Sequence, residues 1–227
     1  MPASSVAGNT EVVRIAIVTG QLSQGGAERQ LTLLAQELQR GHEFAPVVFC
    51  LSQATEPYGT ALSAAGVEWH SPPAGCRSRL RRLLWLIRQL GRSRYALVYG
   101  VLNTGNVYGG AAALISGLPL VASIRSANAK LPTSLRLLSS YFCNRARVIV
   151  ANSPSCVASL RSDLHVQHGR VCIIPNAVVL AEATPDARHK LRQEWGVPEG
   201  ACLVGTVASL KAEKRTEFFL QVAAAMH

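Results

Sequence analysis

Three stretches of this sequence carry residue types suited to holding an anionic or hydroxyl-rich ligand. The first, Gly20-Gln-Leu-Ser-Gln-Gly25-Gly26-Ala-Glu28-Arg29, ends in adjacent glycines. Glycines at a helix start let the backbone approach a ligand closely, and the free amides there, aided by the helix dipole, favour an anion. The same residues also suit a tight β-α turn that needs glycine for geometry alone, and the pattern leaves both open. The second stretch is Asn103-Thr104-Gly105-Asn106 with Tyr108. Amide side chains offer both a donor and an acceptor to a hydroxylated ligand, although Asn103 or Thr104 would equally serve as a helix N-cap. The third, Ser123-Ile-Arg125-Ser126-Ala-Asn128, supplies an arginine able to pair with phosphate or carboxylate, or to stand as a surface charge.

Several chemistries are disfavoured. The glycine loop is not G-x-G-x-x-G, because Gly20 stands five residues before Gly25, and no Gly-Lys-Ser/Thr follows it. That argues against dinucleotide-dependent oxidoreductases and NTPases. The only aspartates are Asp163 and Asp186, so no Asp-x-Asp metal motif exists. There is no G-x-S-x-G elbow, no His-x-x-x-His spacing and, among six cysteines, no C-x-x-C pair. Neither a metal nor another cofactor is expected. His42 and His70 read as surface residues.

The elements that must position these stretches alternate along the chain. Short apolar strands are predicted over Val12–Thr19, Val47–Leu51, Val67–His70, Ala96–Tyr99, Leu120–Ile124, Val148–Ala151 and Val171–Ile174. Between them lie helical patterns, among them Arg79–Leu90, Asn106–Ser116, Ser134–Asn144 and Pro154–Ser162, the last with Ser153 as N-cap. Continuous apolar strands separated by helices predict an α/β fold: a doubly wound, Rossmann-like parallel sheet covered on both faces. This first domain is expected over residues 12–175, after a disordered 1–11. Residues 176–199, with a helix at Arg188–Trp195, read as a linker or hinge. Residues 200–227 read as the first β-α unit of a second, truncated Rossmann-like domain, with a strand at Cys202–Val207 and a helix at Glu217–Met226.

Lysine and arginine number 23 against 13 acidic residues, a net charge of +10 and a pI near 9.8, which favours polyanionic partners. Much of that charge lies in Arg77–Arg94. Leu80, Leu83, Leu84, Ile87 and Leu90 are expected to share a core-facing side, with Arg81, Trp85, Arg88 and Arg92 facing out. Such a face is either a solvated surface or a contact with an anionic membrane. Aromatic content of 6% and the lack of a recognition module argue against nucleic acid. No signal peptide and no apolar run near ~18 residues is visible, so a cytoplasmic protein, peripheral at the inner face of the membrane, is expected.

Read in order, the motifs converge. Gly25-Gly26-Ala-Glu28 opens a helix, and Gly109-Gly110-Ala-Ala-Ala precedes Gly117-Leu-Pro119. Then come Val150-Ala-Asn152-Ser153, Ile173-Ile-Pro175-Asn176 and Gly205-Thr-Val-Ala-Ser-Leu-Lys-Ala-Glu213-Lys214. From Val12 onward the chain resembles the amino-terminal domain of family-4, GT-B-fold glycosyltransferases plus the start of their donor-binding domain. The resemblance implies retaining, metal-independent transfer of a sugar from a nucleotide-sugar donor to a glycan or lipid-linked acceptor, in polysaccharide or cell-envelope synthesis. It also implies that Gly25 and Gly26 face the donor phosphates. Lys214, beside Glu213, would neutralise the leaving diphosphate, and Asn103, Asn106, Tyr108, Arg125 and Ser126 would line the acceptor side, with Lys214 and Arg125 catalytic. The chain departs from the family at Ser209, where arginine is common, and at Ala177, where the turn is usually Pro-Asn-Gly. It departs again at Arg125 or Ser126, where many members carry histidine. The acidic E-x-seven-E motif is absent, so this chain is expected to be inactive alone. A nucleotide-sugar 2-epimerase of the same fold, or a non-catalytic glycan- or partner-binding domain, are the alternatives.

Overall fold

The computed structural model describes residues 12–76, 78–125, 131–167, 170–180, 184–208, 210 and 212–226. The expected disorder of residues 1–11 lies outside them. The chain divides into two compact units, 1–178 and 179–227, each described by itself.

The first unit holds seven strands: β1 (Val13–Thr19), β2 (Phe44–Cys50), β3 (Glu68–His70), β4 (Leu97–Val101), β5 (Leu120–Ile124), β6 (Val148–Ala151) and β7 (Val171–Ile173). Every neighbouring pair is parallel, and the sheet order is β3-β2-β1-β4-β5-β6-β7. The connecting helices are α1 (Gly26–Arg40), α2 (Tyr58–Ala64), α3 (Arg79–Leu90), α4 (Leu102–Ser116), α5 (Thr133–Arg145) and α6 (Pro154–Ser162). Right-handed crossovers send the two helices that lead outward to β2 and β3 to one face, and the four that follow the reversal to the other. The core obeys this division. Ile15, Ile17 and Val48 pack with Leu31 and Ala35 of α1 and Leu62 of α2. Ala16, Val18 and Val98 pack with Leu86 of α3, Ala112 of α4, Phe142 of α5 and Leu160 of α6.

Helix α4 lies hard against the sheet and α5, and its glycines make that approach possible. A Cβ on Gly105 would sit 2.3 Å from the Val18 carbonyl oxygen, and one on Gly110 would sit 2.6 Å from the Phe142 ring. Helix α4 therefore begins at Leu102, directly after β4, so that residues expected to form a loop before Asn106 are its first turn. Leu102 itself has φ 58°, a left-handed conformation costly for a branched side chain. Ser153 caps α6 as expected, accepting from the Cys156 amide at 3.3 Å.

At the β3 edge, Arg14 donates to Glu68 at 3.0 Å, and His70 lies 2.8 Å from the same carboxylate. Burial opposes ionisation of Glu68, but hydrogen bonds from His70 and Arg14 outweigh it and hold its carboxyl below the usual range. Burial pushes the Cys143 thiol up to about 12, leaving it unreactive at neutral pH.

In the second unit, α7 (Ala187–Glu194) and α8 (Thr216–Ala225) form, with a single 3₁₀ turn at Ala212–Lys214. The strand expected at Cys202–Val207 does not: residues 201–208 are exposed and have no ladder partner among the described residues. An apolar run becomes a strand only where a neighbour completes its hydrogen bonds.

Gly105→Ala is expected to destabilise the fold by about 1–3 kcal/mol, because rigid backbone must move to admit the methyl group; urea unfolding measures it. Glu68→Gln is expected to cost less than about 1 kcal/mol at neutral pH, since the pair is largely exposed. A carboxyl whose folded pKa is lowered stabilises above its unfolded pKa and loses that contribution as pH falls through the folded value. The gap between wild type and Glu68→Gln should therefore close in acid, as thermal melts across pH would report.

Candidate active site

The sheet order reverses between β1 and β4, so the chain departs in opposite directions from their carboxyl ends and leaves a crevice there. Two helices start at that crevice. One is α1, whose N-cap Gly25 is extended and makes no side-chain cap hydrogen bond; the other is α4. Gly20, at the end of β1, lies against Thr104 in the first turn of α4.

The paired glycines have different local reasons. A Cβ on Gly25 would meet the Glu28 carboxylate at 2.3 Å, whereas one on Gly26 would meet nothing within 4 Å. Glu28 is buried, folds back to the helix start and accepts a hydrogen bond from Gln21 at 3.1 Å. Its charge complements the positive end of the α1 dipole. Gly25 thus makes room for Glu28, while Gly26 is exposed and borders open space. Sequence reasoning missed Glu28; its place three residues after the N-cap, as in a capping box, was the available signal.

Asn103 lies in the first turn of α4, half-buried, and its Oδ1 is shielded from water with no hydrogen-bond partner among the described residues. Asn106 is a correction. Expected to line the acceptor side, it is wholly buried: its Nδ2 donates to the Ser123 carbonyl and its Oδ1 accepts from the Ser123 amide, both at 3.1 Å. It fastens α4 to the end of β5, and no polar atom is left for a ligand. Tyr108 packs its ring against the core beneath α4.

Arg125 follows β5 on the same edge of the sheet. It donates to Asn176 Oδ1 at 2.9 Å, while its own carbonyl accepts from Asn152 Nδ2 at 3.2 Å. Its Nε is shielded and unpaired among the described residues. The two asparagines belong to the Val-Ala-Asn-Ser and Pro-Asn motifs after β6 and β7, so three strand ends are tied at this arginine. The exit of the chain is tied to α1 as well. Gln30 donates to the Ala177 carbonyl at 2.8 Å and accepts from the Ala177 amide at 2.7 Å. Nothing in the pattern announced Gln30. A groove of about 430 Å³, lined by Leu34, Tyr99, Val121, Val150 and Ala177 among others, lies where the α1–α2 face is left without a helix over β4 to β6. Its lining is mostly apolar, with Gln30, Glu37 and Arg125 as its polar members.

Ser126 lies outside the described residues. Glu213 and Lys214 belong to the 3₁₀ turn of the second unit, where Lys214 is exposed just before α8. Among the described residues, no group of three His, Cys, Asp or Glu side chains could hold a metal. Arg81 and Arg88 of α3, and Arg92 just after it, are exposed as expected, but Trp85 is not: it packs edge-on to Phe49 at 6.1 Å, while Leu80 and Leu84 face outward instead. The aromatic pocket of Phe49 and Tyr95 rotates the helix to take the indole inward. No helix among the described residues is long and apolar enough to cross a membrane.

Removing Asn106 strands both backbone groups of Ser123, so Asn106→Ala is expected to cost about 2–4 kcal/mol. Chemical denaturation would measure this; a cost below that of an ordinary surface substitution would contradict the assignment.

Comparison with known proteins agrees with this architecture. The sequence model of Glycosyltransferase Family 4 matches residues 24–182. Among solved structures, HepE of Anabaena in complex with UDP and glucose is similar, with a TM-score of 0.67 at 21% identity over 82% of this chain and 50% of that one. A glycosyltransferase from Rickettsia africae has a TM-score of 0.65 at 15% identity, covering 83% and 51% of the two chains. The lipopolysaccharide outer core galactosyltransferase WaaB, in its apo form, has a TM-score of 0.55 at 13% identity, covering 73% and 46%. At these identities the likeness is one of fold, and this chain spans about half the length of these structures. A search of curated protein sequences returns no match.

Proposed function

This chain belongs to Glycosyltransferase Family 4, and on that premise we propose that it forms the acceptor side of a retaining, metal-independent glycosyltransferase. The enzyme moves a sugar from a nucleotide-sugar donor to a hydroxyl of a glycan or lipid-linked acceptor, in polysaccharide or cell-envelope synthesis. The observation that carries the reading is the exposed Gly26 at the start of α1, set on the crevice where the sheet reverses. Backbone amides there suit the diphosphate of a nucleotide sugar, the ligand class that HepE holds. The amide of Asn103 and the guanidinium of Arg125 are of the acceptor and donor types that a hydroxylated acceptor needs. WaaB, a galactosyltransferase of the lipopolysaccharide outer core, supports an envelope glycan as the acceptor class.

Transfer replaces the diphosphate oxygen on the anomeric carbon with the acceptor oxygen. As that bond breaks, charge grows on the leaving diphosphate, and fixed dipoles and cations are the means of meeting it without a metal. In this reading the amides at Gly26 and the ammonium of Lys214 do so, with Glu213 beside the lysine. Arg125 aligns the acceptor. Residues 12–175 serve as the acceptor domain, 176–199 as the linker, and 200–227 on the donor-binding side.

The test is an assay in the native polypeptide context with a panel of nucleotide sugars, with and without acceptor, and with chelator. Consumption should require acceptor, survive chelation and yield product with the donor's anomeric configuration. Lys214→Ala should lower kcat by roughly 10²–10³-fold, the usual loss of one charge-stabilising group. Gly26→Ala should leave the unfolding midpoint within about 0.5 kcal/mol of wild type, since its Cβ meets nothing, yet raise the KM for donor. Acceptor-independent conversion of the donor would make the enzyme an epimerase, and binding without conversion would make it a binding domain.

A further inference from the structure

At the amino edge of the sheet, the opposite end of the strands from the crevice, three arginines converge. Arg147 stands immediately before β6 and Arg170 immediately before β7, its neighbour in the sheet, while Arg145 ends α5. With Ala146 and Val148 they line one cleft of about 510 Å³. The backbone fixes where two of them stand. The Arg147 amide donates to the Leu120 carbonyl of β5 at 2.8 Å, and the Arg170 carbonyl accepts from the Ile149 amide of β6 at 2.8 Å. Arg145 is steadied by the Tyr141 ring, 4.6 Å from its guanidinium.

All three are exposed, and none makes an ion pair among the described residues. Between Glu68 and Glu182 the sole acidic residue is Asp163. Its carboxylate is already taken, accepting from the Ser159 and Ser162 hydroxyls. Three guanidinium groups around one cleft repel one another, and an anion of matching shape relieves that repulsion. A second observation gives the anion a body. Arg145 and Arg147 also wall an adjoining hollow of about 450 Å³, lined elsewhere by Leu114, Leu118, Pro119 and Phe142. We propose that this edge binds a soluble organic phosphate, with phosphate oxygens among Arg145, Arg147 and Arg170 and an apolar or planar body in the hollow. A carboxylate offers two oxygens, enough for one guanidinium fork, whereas a di- or triphosphate offers oxygens to all three. The arginines wall a recess, which suits a small ligand better than an extended surface. This site shares no residue with the crevice, so it goes beyond the proposed function and does not depend on it.

The experiment is amide chemical-shift mapping of the isotopically labelled full chain, with tripolyphosphate and with ATP as separate probes. Both should perturb Arg147, Val148, Arg170 and Val171, and ATP alone should add Leu114 and Leu118. Arg147→Gln and Arg170→Gln should each weaken this response roughly five-fold or more, the worth of a charge-assisted contact in a partly solvated site. Arg147→Lys keeps the charge without the fork and should restore only part of it. Arg88→Gln, on α3, should leave it unchanged, and thermal melts without ligand should give one midpoint for every variant. A response at Gly26 belongs to the crevice and should be the same in wild type and variants, so the two sites can fail separately. Three outcomes overturn the proposal. The first is silence at Arg147 and Arg170 with both soluble probes, whether or not anionic vesicles perturb them. The second is an equal loss with Arg88→Gln, which marks diffuse charge. The third is an identical map for ATP and tripolyphosphate, which leaves the hollow without a ligand.

Discussion

One constraint governs this molecule: parallel strands must be joined by right-handed crossovers. Outward from β1 the chain lays down β2 and β3, then returns to the other side of β1 for β4. That single reversal has three consequences. It opens a crevice at the carboxyl ends of β1 and β4 and aims two helix starts at it. It gathers α3 to α6 on one face, and with them a segment devoid of carboxylates. Among the described residues of the first unit, it also leaves the opposite face without a helix over β4 to β6, where the mostly apolar groove lies. Site, surface charge and groove are products of the same topology.

Around the crevice the chain is held by specific, buried or multiply bonded contacts. Asn106 joins α4 to β5 through two hydrogen bonds inside the core, and Gly105 lets α4 rest on the backbone of β1. Arg125, Asn152 and Asn176 tie the ends of β5, β6 and β7, and Gln30 secures the chain's exit to α1. A site that positions reacting groups needs such rigidity, because small misplacements cost rate steeply. The left-handed Leu102, at the start of α4, is the local cost of turning a strand directly into a helix at this point.

Strand and helix order in the first unit was legible because each strand is a short apolar run bounded by turn residues, and the glycine loop revealed itself by composition. What escaped was set by tertiary contact. Asn106 reads as a ligand-binding amide until the buried backbone of Ser123 is found waiting for it. Asn103 and Thr104 read as a loop, but the missing Cβ of Gly105 allows the helix to begin at Leu102, four residues before Asn106. Leu80, Leu83, Leu84, Ile87 and Leu90 wrap so far around α3 that periodicity alone could not choose its buried side; Phe49, edge-on to both Trp85 and Tyr95, chose it by receiving Trp85. The apolar run 202–207 had strand composition but no neighbour to pair with among the described residues. The two glycines looked equivalent, and only the folded-back carboxylate of Glu28 distinguishes them.

The account turns on the helix start at Gly26 being where a nucleotide sugar's diphosphate rests. Amide chemical-shift mapping of the isotopically labelled chain, titrated with UDP and with UDP-glucose, tests this most directly. The account predicts that the largest perturbations fall on Gly25, Gly26 and the first turn of α4, with little change along the groove beside Leu34 and Val150. Perturbation confined to that groove, or an unchanged spectrum at saturating nucleotide, would contradict it.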